Sequence, residues 1–200
     1  MSLPQQLARL FVRSVIVPGQ IEGGTTIVLE QGGPVPYGLV KANGTYYVVS
    51  PQETRRIALA GVAYVAGPMR AKPQNNFPAF DLARDRLIEA GYFVFNPADL
   101  DRMEGINENT VPDLDLLKGC LARDMAAICR STHIALLPGW EESSGLRPEA
   151  LLASVTGLTF LNAVSLELMN PKAVCAVIGA RLVGEYQAQQ KQYEAKQLVN

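Results

Sequence analysis

The chain has 200 residues, of which 48% are hydrophobic and 18% are charged. This composition is typical of one α/β domain with an appendage, or of two small domains, and it provides enough apolar residues for a sizeable core. The formal charge is -1 and Lys and Arg form no cluster, so we expect neither a nucleic-acid polymer nor a membrane as a partner.

The cysteine and histidine content argues against a metal site. Three cysteines without metal-ligand spacing and one histidine indicate neither zinc nor a disulfide framework, and they favour a reducing cytoplasm. The amino-terminal residues lack the layout of a signal peptide, and no apolar run is long enough to span a bilayer. We therefore predict a soluble cytoplasmic protein without a metal or redox cofactor.

The first quarter of the chain is rich in β-forming residues. The runs, in chain order, are SVIV (14–17), TTIVLE (25–30), YGLVKA (37–42) and TYYVVS (45–50). Asn43-Gly44 between the last two runs predicts a hairpin, because both residues tolerate a positive φ. Residues 3–12 are compatible with a short helix. We predict a β-rich amino-terminal extension over residues 1–52, with Pro51 near its end.

From Arg56 onward, apolar runs alternate with helical patterns. The strand candidates are IALAGVAYVAG (57–67), YFVFNP (92–97), THIALLPG (132–139) and LTFLNA (158–163), and the helical patterns cover 78–90, 114–129 and 148–156. Gly91 and Gly157 are expected to close the first and third helices. Apolar runs without alternation indicate strands covered on both faces, so we predict a parallel sheet flanked by helices over residues 53–170. Residues 171–200 predict a long terminal helix whose last turns are solvated.

Three polar segments are expected at the ligand-binding edge of this sheet. They are AGPMR (66–70), NPADLDR (96–102) and PGWEESSGLRPE (138–149), and each follows a predicted strand. Ligands of open α/β sheets bind outside the carboxyl ends of the strands. Trp140 and Phe77 could frame a pocket for a stacked base, although aromatic residues near loops are ordinary.

Glu149 is the first candidate for chemistry. It follows Pro148, which suits the first turn of a helix, and a carboxylate at that point interacts favourably with the helix dipole. One interpretation is a plain helix-start device. The other is a nucleophile that the dipole keeps ionised, preceded by a Gly/Ser turn at 143–145 whose N–H groups would be available to a phosphate or sugar oxygen.

Asp124 is the second candidate, because it lies on the shoulder of an apolar helical stripe. The stripe consists of Leu114, Leu117, Leu121, Met125 and Ile128. A charge there is costly unless it is paired, with Arg123 or Arg84 for example, or lines a cavity. Tyr64, inside the first strand, is either a core residue or a hydroxyl that reaches the end of the strand. His133 is interpreted as a core residue rather than a general base.

The same segments resemble a known family. YVAGPM, FPAF, GYFVFNPADLDR, ARDMAAICRSTHIALLPGW and SSGLRPEALLA, in this order between residues 56 and 163, are similar to the nucleoside 2-deoxyribosyltransferase-like superfamily, with the texture of its uncharacterised bacterial and phage-encoded branch. The resemblance implies a flavodoxin-like, Rossmann-like α/β fold that cleaves or exchanges the N-glycosidic bond of a 2'-deoxynucleoside or its 5'-monophosphate. Residues 1–52 and the tail lie outside it.

The resemblance also implies roles for individual residues. Glu149 corresponds to the nucleophilic glutamate, Asp124 to the carboxylate that handles the proton of the leaving base, and Tyr64 to a tyrosine that orients the nucleophile. The predicted substrate-binding residues are Gly67, Met69, Arg70, Ser143, Ser144 and Gly145. The implied reaction is a double displacement through a deoxyribosyl-glutamate intermediate.

Ser143 favours a nucleotide over a nucleoside as substrate. Family members that act on free nucleosides tend to carry an acidic residue at this position, whereas the 5'-monophosphate hydrolases carry a serine. A phosphate would be repelled by the former and bound by serine hydroxyls, N–H groups and Arg70, although Glu141 and Glu142 oppose this. Arg147 and Pro148 depart from the family pattern, and either could reshape the pocket.

Alternatives to hydrolysis stay open from the sequence. One is transfer of the sugar between bases, and another is a module that binds or senses a nucleotide without cleaving it. The third is an α/β scaffold whose amino-terminal extension docks a partner. Val174, Ile178, Leu182 and Tyr186 form an apolar row on the predicted tail helix, which must cover either its own sheet or the surface of a neighbouring subunit. Members of the family that the segments resemble commonly pair and complete each pocket with residues of the next subunit, so the resemblance implies a homo-oligomer.

Overall fold

The computed structural model describes residues 25–29, 37–42, 45–49, 54–57, 59–70, 72–107, 109–111 and 113–197, with side chains within 59–193. The strands β1 (Thr25–Leu29), β2 (Tyr37–Ala42), β3 (Thr45–Val49) and β4 (Thr54–Ile57) form one antiparallel sheet in sequence order. Ala42 lies opposite Thr45, which is the register of two strands joined by a two-residue turn. The turn itself, the predicted helix over 3–12 and the run 14–17 lie outside the described residues.

β4 was not predicted as a strand. Its sequence, TRRI, contains two arginines in four residues and no apolar alternation, so composition does not mark it. Pairing with β3 supplies backbone hydrogen-bond partners, and strand formation here depends on that neighbour rather than on local propensity. The β-rich part of the chain therefore continues to Ile57.

The second sheet has five strands. They are β5 (Gly61–Ala66), β6 (Tyr92–Phe95), β7 (His133–Leu136), β8 (Thr159–Asn162) and β9 (Leu168–Met169). Their order is β6-β5-β7-β8-β9, with parallel pairing except between β8 and β9. This is the 2-1-3-4-5 order of flavodoxin-like folds, and it confirms the predicted α/β class. The antiparallel edge strand β9 was not predicted, because two residues give no periodic signal.

Among the described residues, five α-helices accompany the second sheet. They are α1 (Phe77–Glu89), α2 (Pro97–Met103), α3 (Leu114–Cys129), α4 (Leu146–Val155) and α5 (Pro171–Gln197). Asp113 starts α3 by accepting a hydrogen bond from the N–H of Leu116 at 2.9 Å, a typical helix cap. Gly91 and Gly157 follow α1 and α4 with positive φ angles, which confirms their predicted role at the helix ends.

The helices cover both faces of the sheet. Phe77, Phe80, Ala83 and Leu87 of α1 are buried against one face, whereas α3, α4 and α5 pack on the other through residues such as Ile128, Ala150 and Ile178. Alternate residues of the central strand β5 contribute to the two layers, and all six are buried. Each large apolar side chain buried in this way contributes about 1.5–3 kcal/mol. Tyr64 therefore points toward the layer that contains α3 and α4.

In the part of the chain that the structure describes, no helix combines the length and the apolar character needed to cross a bilayer.

Candidate functional site

A cavity of about 390 Å³ lies beyond the carboxyl ends of β5 and β7. These two strands are neighbours, and the chain continues to opposite sides of the pair, to β6 next to β5 and to β8 next to β7. Such a reversal of strand order opens a crevice, where open α/β sheets bind ligands. The volume falls within the range of about 300–1,000 Å³ that is usual for small-molecule pockets.

Glu149 lines this cavity from the first turn of α4. Its side chain is buried, with 9% exposure, and its Oε1 accepts a hydrogen bond of 2.9 Å from the hydroxyl of Tyr64. The fully buried Tyr64 reaches it from the middle of β5. The strand and the helix thus fix a carboxyl group and a phenol together at the end of the sheet, 85 residues apart in sequence.

Burial raises the pKa of Glu149 to about 8, and the nearby charge of Asp124 adds to this rise. The Tyr64 hydrogen bond and the charge of Arg70 act in the opposite direction but are smaller effects. The expectation that the helix dipole keeps Glu149 ionised is therefore wrong for this structure. Loss of solvation of a buried carboxylate outweighs a dipole that contributes about 0.3–1 kcal/mol at an exposed helix end.

Asp124 lines the same cavity from α3. The Arg123 guanidinium is its partner, with Nη2 3.0 Å from Asp124 Oδ1, while Arg84 pairs with Asp81, Asp85 and Asp99 instead. Burial raises the pKa of Asp124 to about 6, although Arg123 opposes the rise. Of the two partners that the sequence offered, the structure selects Arg123.

Arg123 contacts two further carboxylates. Its Nη2 lies 2.7 Å from Asp101 and its Nη1 lies 3.0 Å from Glu104. One guanidinium is therefore shared among three acids, so its attraction for Asp124 is divided. With both Asp124 and Glu149 shifted toward neutrality, the two carboxyls hold about one proton between them in the range from about pH 6 to pH 8.

All six residues predicted to bind substrate line the cavity. They are Gly67, Met69, Arg70, Ser143, Ser144 and Gly145. A Cβ on Gly67 would lie 2.6 Å from Cβ of Leu137, so only glycine lets the loop after β5 approach the end of β7 this closely. The structure thus brings together residues of the predicted segments 66–70 and 138–149, and Pro97 and Asp101 of the third segment line the same cavity.

Ser143 is already engaged with the protein. Its hydroxyl donates to the carbonyl oxygen of Gly67 at 3.2 Å and accepts a hydrogen bond from the N–H of Leu146 at 3.2 Å. The serine therefore joins the two loops and accepts the N–H of Leu146, the first residue of α4, while the N-cap position itself is occupied by Gly145. The sequence pattern placed the start of α4 at Pro148, whereas the helix begins two residues earlier, at Leu146.

Other candidates lie away from the cavity. Trp140 and Phe77 belong to the cores on opposite faces of the sheet and are not among the residues that line the pocket, so they do not frame a stacking site. His133 lies at the opposite end of β7, with its ring centroid 5.0 Å from that of Tyr92. Among the described residues, no three His, Cys, Asp or Glu side chains are grouped to hold a metal ion.

The apolar wall of the pocket differs from the prediction for α3. Ile128 is buried in the core, but Leu114 and Leu121 are exposed; Leu117 and Leu121 line the cavity together with Ile106. The helical stripe thus serves the core at one end and the pocket at the other. Periodicity alone cannot distinguish these two environments, since both require apolar side chains.

Two cations at the pocket were missed by the sequence analysis. Lys72 follows the loop after β5, and Arg181 comes from the terminal helix α5. Arg181 is separated from all predicted site residues by β8 and β9, so no motif signals its position. The one available signal was the unusual Arg147, which forms an ion pair with Glu185 on α5.

The fold and the site define a flavodoxin-like α/β protein with a buried pair of carboxyls in its switch-point pocket. A family model described as "Domain of unknown function (DUF4406)" matches residues 61–162, about half of the chain, and the chain belongs to this family. The matched segment includes every predicted catalytic and substrate-binding residue, whereas Arg181 lies outside it. No curated protein and no solved structure matches the chain.

Proposed function

We propose that this protein is an N-glycosidase of the nucleoside 2-deoxyribosyltransferase type, which cleaves the bond between base and sugar in a 2'-deoxynucleoside 5'-monophosphate. The observation that supports it most is the buried Glu149, hydrogen-bonded to Tyr64 and sharing one pocket with the second carboxyl, Asp124. Enzymes that cleave glycosidic bonds commonly use a pair of carboxyl groups, one of which has a raised pKa and acts as the general acid.

In the proposed reaction, a carboxylate oxygen of Glu149 attacks C1' of the sugar. The bond from C1' to the base nitrogen breaks, its electron pair remains with the base, and Asp124 donates a proton to the departing base. A water molecule then adds to C1', the ester bond to Glu149 breaks, and Asp124 accepts the proton of that water. Tyr64 holds the attacking oxygen in place through its hydrogen bond.

The number of protons held by Asp124 and Glu149 fits the first step of this reaction. The first step requires one ionised and one protonated carboxyl, and the pair holds about one proton near neutral pH. In this structure Arg123 favours the proton on Glu149, because it stabilises the ionised form of Asp124. The reaction needs the reverse distribution, so binding of substrate must move the proton to Asp124.

Arg70 supports a phosphorylated substrate. Within the described residues it forms no hydrogen bond or ion pair, it lines the cavity, and its Nη2 lies near Gly145, 3.7 Å from where a Cβ would be. The N–H groups of Ser144 and Gly145 donate to no described acceptor. Free donors and an unpaired guanidinium at the start of a helix suit an anion.

A second function, binding a nucleotide without cleaving it, is favoured by the raised pKa of Glu149, since a protonated carboxyl is a poor nucleophile. Transfer of the sugar to a second base uses the same residues and differs only in the acceptor.

The experiment is incubation with the four 2'-deoxynucleoside 5'-monophosphates and the corresponding nucleosides, followed by chromatography for free base. Glu149→Gln keeps the shape and removes the attacking charge, so base release should fall by orders of magnitude while the fold survives. Glu89→Gln, on the exposed side of α1, is the matched control. Turnover of Glu149→Gln near that of the parent contradicts the assignment, and binding without base release by the parent favours the second function.

A further inference from the structure

Three cations gather around the short segment 141–145 between β7 and α4. Arg181 Nη1 donates to the carbonyl oxygen of Glu141 at 2.9 Å, and Lys72 Nζ lies 3.7 Å from the carboxylate of Glu142. Arg70 lies beside Gly145. All three cations line the cavity; Arg70 and Lys72 follow β5, and Arg181 comes from α5.

This end of the cavity differs in charge from the end at α3. Asp124 and Glu149 line the cavity as well, but their hydrogen bonds are made with Arg123 and Tyr64, not with these three cations. The charge of Glu142 is offset by its ion pair with Lys72. Neither Arg70 nor Arg181 forms an ion pair with a carboxylate of the segment 141–145.

Arg181 is positioned by an ion pair with a residue that does not line the cavity. Its Nε lies 3.4 Å from Oε1 of Glu185, one helical turn further along α5. The carboxylate of Glu185 accepts hydrogen bonds from both terminal nitrogens of Arg147. Two-pronged pairing of this kind fixes the carboxylate in orientation as well as in position. The departure from the family pattern at Arg147 thereby ties α5 to the first turn of α4.

The arrangement leaves part of the Arg181 guanidinium available. Nη1 and Nε are used by Glu141 and Glu185, whereas Nη2 donates to no described residue. Arg147 itself does not line the cavity. A ligand in the pocket therefore meets Arg181, and Arg147 acts on it only through Glu185.

We propose that Arg181 binds the 5'-phosphate of the nucleotide and determines the preference for a phosphorylated substrate, with Glu185 and Arg147 as its positioning residues. This inference rests on the proposed function and adds the terminal helix to the site. The guanidinium presents a planar fork of donors that matches phosphate oxygens, and Arg70 and the N–H groups of Ser144 and Gly145 complete the set of donors.

The test is calorimetric titration of the full-length protein with inorganic phosphate, with the four 2'-deoxynucleoside 5'-monophosphates and with the unphosphorylated nucleosides. Arg181→Gln should weaken binding of phosphate and monophosphates about ten- to a hundredfold, the range for a charge-assisted contact, and leave nucleoside binding unchanged. Lys191→Gln removes a charge from an exposed position on the same helix and should bind as the parent does.

Further variants separate binding from helix anchoring. Arg181→Lys keeps the charge without the fork and should lie between the parent and Arg181→Gln; it also serves if Arg181→Gln does not fold. Glu185→Gln should weaken phosphate binding in the same direction but less, since it loosens Arg181 without removing it.

The inference is overturned if Arg181→Gln weakens nucleosides and monophosphates equally, if neither Arg181 variant alters phosphate affinity, or if the parent binds neither phosphate nor any monophosphate. Phosphate-selective binding without base release would instead contradict the proposed reaction and leave the role of Arg181 intact. Base release by the parent, together with an unchanged phosphate affinity in Arg181→Gln, would contradict the role of Arg181 and leave the proposed reaction intact.

Discussion

Tyr64→Phe tests whether the phenol tunes the ionisation of Glu149. The hydrogen bond from Tyr64 stabilises the charged form of Glu149 and lowers its pKa, which burial has raised to about 8. A hydrogen bond to a charged group contributes about 1.5–3 kcal/mol, and a pKa changes by one for about each 1.4 kcal/mol. Without the phenol, the pKa of Glu149 should therefore rise by a further one to two, to about 9 or 10.

The assay is the initial rate of base release between pH 5 and pH 10. Because the first step requires one ionised and one protonated carboxyl, the parent rate should be highest between about pH 6 and pH 8 and fall on either side of this range. In Tyr64→Phe the proton is held more strongly by Glu149, so the rate between pH 6 and pH 8 should fall by about ten- to a hundredfold and the alkaline limb of the profile should move from about 8 to about 9 or 10. Phenylalanine fills the same space on β5, so the fold should be preserved.

Tyr92→Phe is the matched control, since Tyr92 is on the adjacent strand β6 and packs against His133 rather than against the pocket. A Tyr64→Phe profile whose alkaline limb has the same midpoint as that of the parent would refute the reasoning, because the hydrogen bond would then have no effect on the ionisation of Glu149. An equal fall in rate at every pH would assign Tyr64 to positioning alone.

Three further predictions concern stability, specificity and assembly. Folding raises the pKa of Glu149 from 4.5 to about 8, so the folded chain loses stability as the pH rises between these values. The free energy of unfolding of Glu149→Gln should therefore increase relative to that of the parent by about 1.4 kcal/mol per pH unit. Urea unfolding of both proteins at pH 5 and pH 8 measures this, and a difference between them that is the same at both pH values would contradict it. Ser143→Asp retains an acceptor for the N–H of Leu146 but repels phosphate, so kinetics should show weaker use of monophosphates with nucleosides spared; equal loss for both would exclude a phosphate role. Leu182 and Tyr186 are exposed on α5, and light scattering should detect a homo-oligomer that the double replacement by serine dissociates, whereas a parent that is monomeric at micromolar concentration would end the idea.

Long periodic segments were predicted well from the sequence. The helix over 114–129 matches α3 at both ends, because its 16 residues carry a repeating apolar pattern and its start is capped by Asp113. The four-residue strands β6, β7 and β8 were found because each is a continuous apolar run, whereas α2, β4 and β9 were missed because PADLDRM and TRRI are largely polar and β9 has only two residues. The apolar row on α5 has two parts: Val174 and Ile178 are buried in the core of their own domain, whereas Leu182 and Tyr186 are exposed.

The positions of the candidate site residues followed from topology. Strands of a parallel sheet end at one edge, so the loops after β5 and β7 had to meet, and Gly67 and Ser143 are hydrogen-bonded there. The ionisation of Glu149 was misjudged because it depends on how deeply the side chain is buried, which spacing does not reveal. Arg181 was missed because a contact across 40 residues with Glu141 leaves no local pattern.

The place of Trp140 in the fold gives the protein a built-in optical probe. It is the single tryptophan of the chain, packed in the same core cluster as Leu146 of α4, and its carbonyl oxygen accepts the N–H of Ser143 at 3.1 Å. Indole emission depends on the polarity around the ring, and Trp140 is a buried residue. The tryptophan emission of the unlabelled protein therefore comes from one residue, next in sequence to the segment 141–145, and a rearrangement of that segment should change it.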